Sequence, residues 1–143
     1  MTLPDPALQA QRFARVRLAH RTEMQEDYVE LIGDLIAATG EARAADLAER
    51  FGVTAATVSN TLARLKKAGL IKTEPYRSIF LTDAGEKMAA AARARHALVV
   101  RFLRSLGVSE EIAELDAEGL EHHLSEETLE AMKAYSASAG PKA

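Results

Sequence analysis

The chain has 143 residues, of which 48% are hydrophobic and 27% charged, and it contains no cysteine. This length suffices for one ordinary domain or two small ones, and the hydrophobic content excludes a disordered chain. The lack of cysteine excludes disulfides, thiolate catalysis and cysteine-ligated zinc or iron–sulfur sites, and it fits a reducing cytoplasm.

The N-terminal residues lack the apolar core of a signal peptide, and no apolar run approaches the ~18 residues that span a bilayer. We therefore expect a cytoplasmic protein that does not engage a membrane.

Positive and negative side chains are distributed unevenly along the chain. Residues 43–77 hold seven Lys or Arg against three Asp or Glu, whereas residues 105–130 hold nine acids and no Lys or Arg. The division suggests two functions in one chain, although two solvated surfaces would look the same.

The first helical pattern covers residues 12–38, after a frayed start at residues 1–9, and Gly40 is a plausible end for it. Within this helix Asp27 and Glu30 lie about one turn apart and share a face. A solvated acidic face is the ordinary interpretation of such a pair. The apolar residues beside them weaken this interpretation a little, because they favour packing of this part of the helix.

Residues 44–69 show the pattern of a helix-turn-helix, with a short helix, a tight turn at Gly52, and a second helix capped by Thr54. Any helical hairpin needs similar residues, but the second helix also has an outward face that is small and polar first and basic later. Such a face suits the major groove and its base edges. We assign Leu47, Ala48, Val53, Val58, Leu62 and Leu65 to the inward face. The predicted DNA contacts are Thr54, Ala55, Ala56, Thr57, Ser59, Asn60 and Arg64, and Thr61 is assigned to the same outward face.

Short alternating runs at residues 70–74 and 78–81 predict a β-hairpin directly after the helix-turn-helix. A hairpin in this place is typical of the wing of a winged helix. Tyr76 and Arg77 would form its tip, and a basic tip contacts DNA phosphates or the minor groove. Both are therefore candidate DNA contacts, with a solvated turn as the alternative for Arg77.

Thr82 can cap a long helix over residues 83–104, which Gly107 ends. His96 lies on this helix, and a single helical histidine is more often structural than a metal ligand. Ser109 can cap the helix that follows, and Ser125 can cap a last helix over residues 126–135. The small residues 136–143 after it are expected to form a mobile tail.

Residues 116–125 hold the densest group of ligand-type side chains. If they are helical, Glu118, Glu121 and His122 fall at i, i+3 and i+4 and share one face. Two carboxylates and an imidazole on one face predict half of a metal site. His123 would point about 100° away and is expected to be structural or to support a ligand, and His20 is expected at the surface.

Asp27, Glu30 and His96 are the candidates for the other half of this site. Carboxylate oxygens with a little imidazole suit Mn²⁺ and tolerate Fe²⁺, whereas zinc sites use fewer carboxylates. The four carboxylates together would be neutralised by two divalent ions but not by one. We therefore expect two Mn²⁺ ions per subunit, and no organic cofactor.

Short motifs distributed over residues 27–134 carry a family resemblance. They are Asp27-Tyr-Val-Glu30, Asp46-Leu-Ala, Leu81-Thr82, Arg95-His96, Gly107-Val108 and Asp116-Ala-Glu-Gly-Leu-Glu-His-His-Leu-Ser125. The chain resembles the iron- and manganese-dependent repressors related to the diphtheria toxin repressor, most closely their manganese transport regulator branch. The resemblance implies a winged-helix DNA-binding domain, a helical dimerisation domain and metal-triggered repression of metal-uptake genes. Carried over position by position, the ligands of that branch fall on Asp27, Glu30, His96, Glu118, Glu121 and His122.

The iron-responsive branch usually has sulfur or another softer ligand at the positions of Asp27 and Glu118, which favours manganese here. Two positions depart from the family pattern. Val100 stands where Glu is common, so we expect no ancillary metal site that uses that acid. Asn60 stands where a basic residue is common, so an operator preference does not transfer. We also expect no SH3-like domain of the kind that longer relatives carry.

The predicted fold is mainly α. A winged helix-turn-helix domain with a small hairpin wing covers residues 1–82, and an all-α metal-binding and dimerisation domain covers residues 83–143. The predicted function is a manganese-responsive transcriptional repressor, not an enzyme. As a homodimer it would bind a palindromic operator in double-stranded DNA.

Two other functions account for parts of the sequence. A metal-independent winged-helix regulator of a small organic ligand would have a merely solvated acidic face, and failure to bind Mn²⁺ would favour it. A winged-helix regulator of another metal, such as Fe²⁺, is a variant of this alternative. A di-metal hydrolase would also use carboxylate and histidine ligands. It would leave the winged helix unexplained, and no spare nucleophile or acid lies beside the candidate ligands.

Overall fold

The computed structural model describes residues 1–74 and 78–139, and it confirms a mainly helical fold with one β-hairpin. The elements are α1 Pro6–Thr39, α2 Ala44–Phe51, α3 Ala55–Lys67, β1 Ile71–Thr73, β2 Ile79–Leu81, α4 Asp83–Ser105, α5 Glu110–Leu120, a 3₁₀-helix Glu121–His123 and α6 Glu126–Ala139. None of the described helices combines the length and hydropathy that a bilayer crossing needs.

The chain divides into two compact units. The central unit comprises Gln25–Arg93, and the terminal unit combines Met1–Met24 with the chain from Ala94 onward. Helix α1 contributes its first part to the terminal unit and its second part to the central unit. The functional domain boundary between residues 82 and 83 stays a prediction.

Helix α1 begins at Pro6, earlier than its apolar pattern indicates, so the expectation of a frayed start is wrong for residues 6–9. Pro6 occupies the first helical position, where its fixed φ is favourable and its missing N–H costs nothing. The carboxylate of Asp5 accepts a hydrogen bond from Leu8 N at 3.3 Å, which caps the first turn. At the other end Gly40 adopts φ +87°, and its N–H donates to the Ile36 carbonyl at 2.9 Å, as a C-terminal glycine does.

The core of the central unit joins the second part of α1 to the helix-turn-helix. Tyr28 of α1 stacks on Phe51 of α2, with ring centroids 4.4 Å apart and planes 24° from parallel. Gly52 takes φ +66° in the turn, and the Thr54 hydroxyl accepts from Thr57 N at 3.1 Å, so the predicted turn and N-cap are confirmed. The buried residues of this core include Val29, Ile32, Leu47, Val58, Leu65, Ile71 and Ile79.

Two residues of the helix-turn-helix lie opposite to their assigned sides. Val53 is 39% exposed, because it belongs to the turn between α2 and α3 rather than to either helix. Thr61 is only 7% exposed, because it follows Val58 by three positions and precedes Leu65 by four, which is the spacing of one helical face. Its hydroxyl donates to the Thr57 carbonyl at 3.0 Å, so burial leaves that group satisfied.

The predicted wing is confirmed as an antiparallel pair of three-residue strands, in which Ile71 pairs with Leu81 and Thr73 with Ile79. The Ile79 N–H also donates to the Ala42 carbonyl at 2.8 Å, which fastens β2 to the segment after α1. Tyr76, Arg77 and the rest of the predicted tip lie outside the described residues.

The terminal unit has its own small core of Val99, Ala117 and Leu129, one each from α4, α5 and α6. The predicted caps are confirmed: Ser109 accepts from Ile112 N at 3.4 Å, and Ser125 accepts from Thr128 N at 3.3 Å. Both bonds satisfy a donor of the first helical turn.

Helix α6 continues to Ala139, so the expected tail is wrong for residues 136–139. Ser136 is buried and its hydroxyl donates to the Met132 carbonyl at 2.8 Å, which extends the packed part of the helix. Residues 140–143 lie outside the described chain.

Two glycines give a matched test of how closely the start of α4 approaches the end of α3. Gly85 lies in the first turn of α4, and a Cβ there would overlap the Leu70 carbonyl oxygen, which accepts from Thr82 N. We expect Gly85→Ala to lower the free energy of unfolding by about 1–3 kcal/mol. An added Cβ at Gly119 of α5 meets no described atom within 4 Å, so Gly119→Ala should raise it by about 0.5–1 kcal/mol.

Urea denaturation of the metal-free variants measures both changes. Similar effects of the two substitutions would contradict the close approach of α4 to the end of α3.

Candidate metal centre

The structure distributes the six predicted ligands over both units. Asp27 and Glu30 lie on α1 within the central unit. The other four lie in the terminal unit: His96 on α4, Glu118 on α5, and Glu121 and His122 on the 3₁₀-helix.

The shared face of Glu118, Glu121 and His122 stays a prediction, because the segment that carries them is not one continuous α-helix. Helix α5 ends at Leu120, and Glu121–His123 form a 3₁₀-helix that ends in extended backbone at Leu124. A 3₁₀-helix has about 3.0 residues per turn, so the side chains after Glu121 are rotated from their α-helical directions. Glu121 itself still donates its N–H to the Ala117 carbonyl, as in an α-helix. The Glu118 side chain is 71% exposed, whereas that of Glu121 is 2% exposed.

Glu121 and His122 form a buried pair. The Oε1 atom of Glu121 lies 3.0 Å from Nε2 of His122, and both side chains are almost inaccessible to solvent. Two ligands that are each about 2.1 Å from one ion are separated by about this distance. The pair therefore has the spacing of two adjacent metal ligands.

The second carboxylate oxygen of Glu121 gives an independent test of fit. This Oε2 atom is buried and accepts no hydrogen bond from any described residue. Arg95 approaches it with Nε at 3.9 Å, which is an ion-pair distance but too long for a hydrogen bond. A buried carboxylate is costly unless its oxygens are paired with donors or a cation, so a divalent ion fits this position.

Glu23 is a further ligand-type residue beside this pair that sequence reasoning missed. One of its carboxylate oxygens and a ring nitrogen of His122 lie within 4.8 Å of each other, and both residues belong to the terminal unit. The signal was available, because Glu23 precedes Asp27 by four positions and so lies on the same face of α1.

Glu26 was also missed. It is buried on α1 although glutamate is almost never fully buried unless it is paired. The sequence alone does not indicate this burial, because Glu26 is one of several acidic residues in this part of α1.

His96 is held by acidic residues of α5. Its Nε2 lies 2.6 Å from Oε2 of Glu114, and its Nδ1 lies 3.8 Å from Oε2 of Glu118. Partial burial disfavours the charged ring, but the hydrogen bond with Glu114 and the charges of Glu118, Glu114 and Glu121 outweigh it and raise the pKa of His96 above its ordinary value. Glu114 was not predicted, although its position four before Glu118 places both on one face of α5.

Asp27 and Glu30 are anchored by their buried neighbours. Tyr28 and Val29 lie between them in the core of the central unit, and Tyr28 stacks on the helix-turn-helix through Phe51. Both acidic residues are half-buried. The part of α1 that carries them is therefore packed together with α2 in one unit.

The predicted DNA contacts on α3 are all solvent-exposed. Thr54 and Thr57 also bond to each other through their hydroxyls at 2.9 Å, which fixes the first turn of α3. Arg64, Lys66 and Lys67 make the last turn of the helix basic. The exposed face of α3 thus has the small, then basic, character that DNA binding needs, although the individual contacts stay predictions.

Two family models match the chain in succession. The model described as the N-terminal DNA-binding domain of iron-dependent repressors matches residues 20–79. The model described as their metal-binding and dimerisation domain matches residues 82–138.

Curated relatives are similar over most of the chain. The transcriptional regulator MntR of Escherichia coli O6:H1 is 54% identical over 130 residues, which cover 91% of this chain and 84% of the relative. The HTH-type transcriptional regulator MntR of Lysinibacillus sphaericus is 43% identical over 104 residues, covering 73% of this chain and 75% of the relative.

Solved structures share the fold. A manganese-dependent transcriptional repressor in complex with manganese aligns with a TM-score of 0.71 and 30% identity, over 79% of this chain and 52% of that one. The manganese regulator SloR aligns with a TM-score of 0.68 and 26% identity, over 78% and 52%. The chain spans about half the length of these solved structures.

The contact between His96 and Glu114 predicts a measurable shift in the metal-free protein. Glu114→Gln removes a charge and a charge-assisted hydrogen bond, so the pKa of His96 should fall towards its ordinary value. The ring resonances of His96 in an NMR pH titration report this pKa. Glu111→Gln removes an acid of α5 that does not act on His96 and should leave the pKa unchanged.

The raised pKa of His96 also determines the direction in which stability changes with pH. Because folding raises the pKa of His96, its contribution to stability is fully present below the unfolded pKa and is lost as pH rises through the folded pKa. An unchanged pKa in Glu114→Gln would contradict the assigned contact.

Proposed function

The chain belongs to the iron-dependent repressor family, among the regulators named MntR, and from this premise we propose that it is a manganese-responsive transcriptional repressor. The observation that carries the proposal is the buried pair of Glu121 and His122, whose geometry and unsatisfied oxygen fit a divalent cation. The relatives are named as transcriptional regulators rather than enzymes, which removes the hydrolase alternative.

We propose that Mn²⁺ is held by the six residues named from the sequence, with Fe²⁺ as a second metal that the same oxygen-rich donors tolerate. Their four carboxylates support two ions per subunit, because two divalent charges neutralise them. The name of a similar solved structure, which includes manganese, supports the choice of metal. The proposed ligands are Asp27, Glu30, His96, Glu118, Glu121 and His122.

Control of DNA binding would follow from how these residues are distributed. When bound, the metal would supply positive charge that neutralises the carboxylates, and it would form bonds to the ligands that hold it. Asp27 and Glu30 would then hold the second part of α1 in one arrangement. Because Tyr28 packs α1 on Phe51 of α2, the helix-turn-helix would be held with it.

The arrangement of the helix-turn-helix is important because the proposed operator is palindromic. A dimer reads two half-sites about one DNA turn, or roughly 34–36 Å, apart, so its two recognition helices must have a fixed spacing. Restraining α1 would favour the conformation with that spacing, and the coupling would run equally in the other direction.

DNA would be contacted by the exposed face of α3. Its first residues lack bulk and can enter the major groove, while Arg64 can reach phosphate or a base edge. Tyr76 and Arg77 remain proposed wing contacts. The full proposed set is Thr54, Ala55, Ala56, Thr57, Ser59, Asn60, Arg64, Tyr76 and Arg77.

The second copy needed for a palindrome would be a homodimer partner. The matched description of residues 82–138 names dimerisation. In the terminal unit Leu106, Ile112, Leu115 and Leu120 are exposed apolar residues, and exposed apolar clusters commonly mark protein interfaces. A repressor of this kind would act in the cytoplasm, where operator DNA is accessible.

Mn²⁺ should increase affinity for operator DNA. A coupling of about 1–3 kcal/mol corresponds to about 5- to 150-fold. Operator fragments selected from random DNA by the manganese-loaded full chain supply the ligand, and fluorescence anisotropy gives the dissociation constant with Mn²⁺ or with a chelator. Equal affinities in the two conditions would refute manganese control.

Loss of a buried ligand should remove the response without removing the fold. Glu121→Gln keeps the shape of the side chain but loses its charge, so we expect Mn²⁺ to bind more weakly and no longer raise DNA affinity. Asp27→Asn removes the charge of a half-buried ligand in the central unit, and we expect the same loss of response. Glu130→Gln, an exposed acid of α6, is the control and should behave as wild type.

Circular dichroism verifies that each variant is folded, and titration calorimetry follows Mn²⁺. Wild-type stoichiometry together with a wild-type DNA response in Glu121→Gln would contradict its role as a ligand.

A further inference from the structure

The first part of α1 has a surface that is both basic and apolar. Residues 10–18, the arm, are all exposed. Within the arm Phe13 and Val16 lie about one turn apart and are 59% and 57% exposed, and Arg12 and Arg17 flank this apolar pair. Helices in proteins owe most of their stability to the packing of an apolar face, so a partner that covers the arm would stabilise it.

Helix α5 has a surface with the same spacing and the opposite charge. Ile112 and Leu115 lie about one turn apart and are 46% and 65% exposed. Glu111 and Asp116 flank them and are also exposed. None of the four flanking charged side chains, on the arm or on α5, has an ion-pair or hydrogen-bond partner among the described residues.

The shared spacing is that of one heptad of a coiled coil. Apolar residues three positions apart occupy the a and d positions of the seam, and the residues just outside them occupy the g and e positions, whose charges pair across the interface. The arm has only positive charges at these flanking positions, and α5 has only negative ones. The two helices are therefore complementary in either relative orientation.

The pairing has to join two copies of the chain. The arm and α5 belong to the same terminal unit, yet their apolar pairs are exposed there, so they do not cover one another within one chain. Two arms would repel each other, because residues 6–22 contain four arginines and no acidic residue. DNA phosphates would match the charge of the arm but would leave Phe13 and Val16 exposed to water.

We propose that the arm of each copy packs against α5 of the second copy. The inference rests on the proposed homodimer but not on metal or DNA binding. The arm precedes residue 20, where the first matched family model begins, so this contact would add to the dimerisation ascribed to residues 82–138. A single heptad buries little surface, so the contact would strengthen a dimer that is also held elsewhere.

The lack of cysteine allows the contact to be tested by cross-linking. The full chain with Val16→Cys and a C-terminal tag is mixed with the untagged chain that carries Leu115→Cys, and both are treated with a short bismaleimide in the presence of a chelator. We expect a covalent product with the mass of one tagged and one untagged chain. The matched control replaces Leu115→Cys by Glu130→Cys, at an exposed position of α6, and should give little of this product.

Charge reversal tests the complementarity of the two surfaces. Arg12→Glu with Arg17→Glu, or Glu111→Lys with Asp116→Lys, should each raise the dissociation constant of the dimer about 10-fold in sedimentation experiments, because like charges would then face each other. An equimolar mixture of the two variants should restore the wild-type constant, since every arm in a mixed dimer meets an α5 of opposite charge. Circular dichroism verifies that both variants are folded.

Either a mixture that associates no more tightly than the separate variants, or cross-linking no greater than in the control, would overturn the proposal. Loss of DNA affinity in Arg12→Glu with Arg17→Glu, at an unchanged dissociation constant of the dimer, would assign the arm to phosphates instead. A wild-type chain that sediments as a monomer would contradict the homodimer and the arm contact together. A wild-type dimer that fails these tests would contradict the arm contact alone.

Discussion

The proposed function rests on one costly arrangement, the burial of Glu121 beside His122. A carboxylate inside a protein is destabilising unless its oxygens are compensated, and Oε2 of Glu121 accepts no hydrogen bond from the described residues. Arg95 offers only an ion-pair contact at 3.9 Å. A bound cation would remove this cost, so the metal would contribute to the stability of the folded protein as well as to its regulation.

The proposed function also requires that metal binding at a protein ligand affects the DNA-binding face. In the central unit this route consists of ordinary packing: Asp27 and Glu30 lie on either side of Tyr28 and Val29, and Tyr28 stacks on Phe51 of α2. Helix α3 shares the same core through Val58 and Leu65, while its opposite face stays exposed. A restraint on α1 is therefore a restraint on the recognition helix.

Most elements were predictable because their ends carry local signals. Thr54, Ser109 and Ser125 cap their helices as expected, and Gly40 and Gly52 end theirs with positive φ. The predictions that were wrong concern features that tertiary packing or local backbone geometry determines. Helix α5 ends at Leu120 and a 3₁₀-helix follows it, although the sequence pattern was compatible with a continuous α-helix.

The site was predicted by residue type but not in its geometry. The contact of Glu114 with His96, the burial of Glu26 and the approach of Glu23 to His122 depend on how helices pack, which a single sequence does not specify. The most direct test is pulsed electron paramagnetic resonance of Mn²⁺ bound to the full chain. The account predicts nitrogen modulation from coordinated imidazole that weakens in His122→Ala and again in the double variant with His96→Ala. Bound Mn²⁺ without nitrogen modulation, or with modulation that both variants leave unchanged, would contradict it.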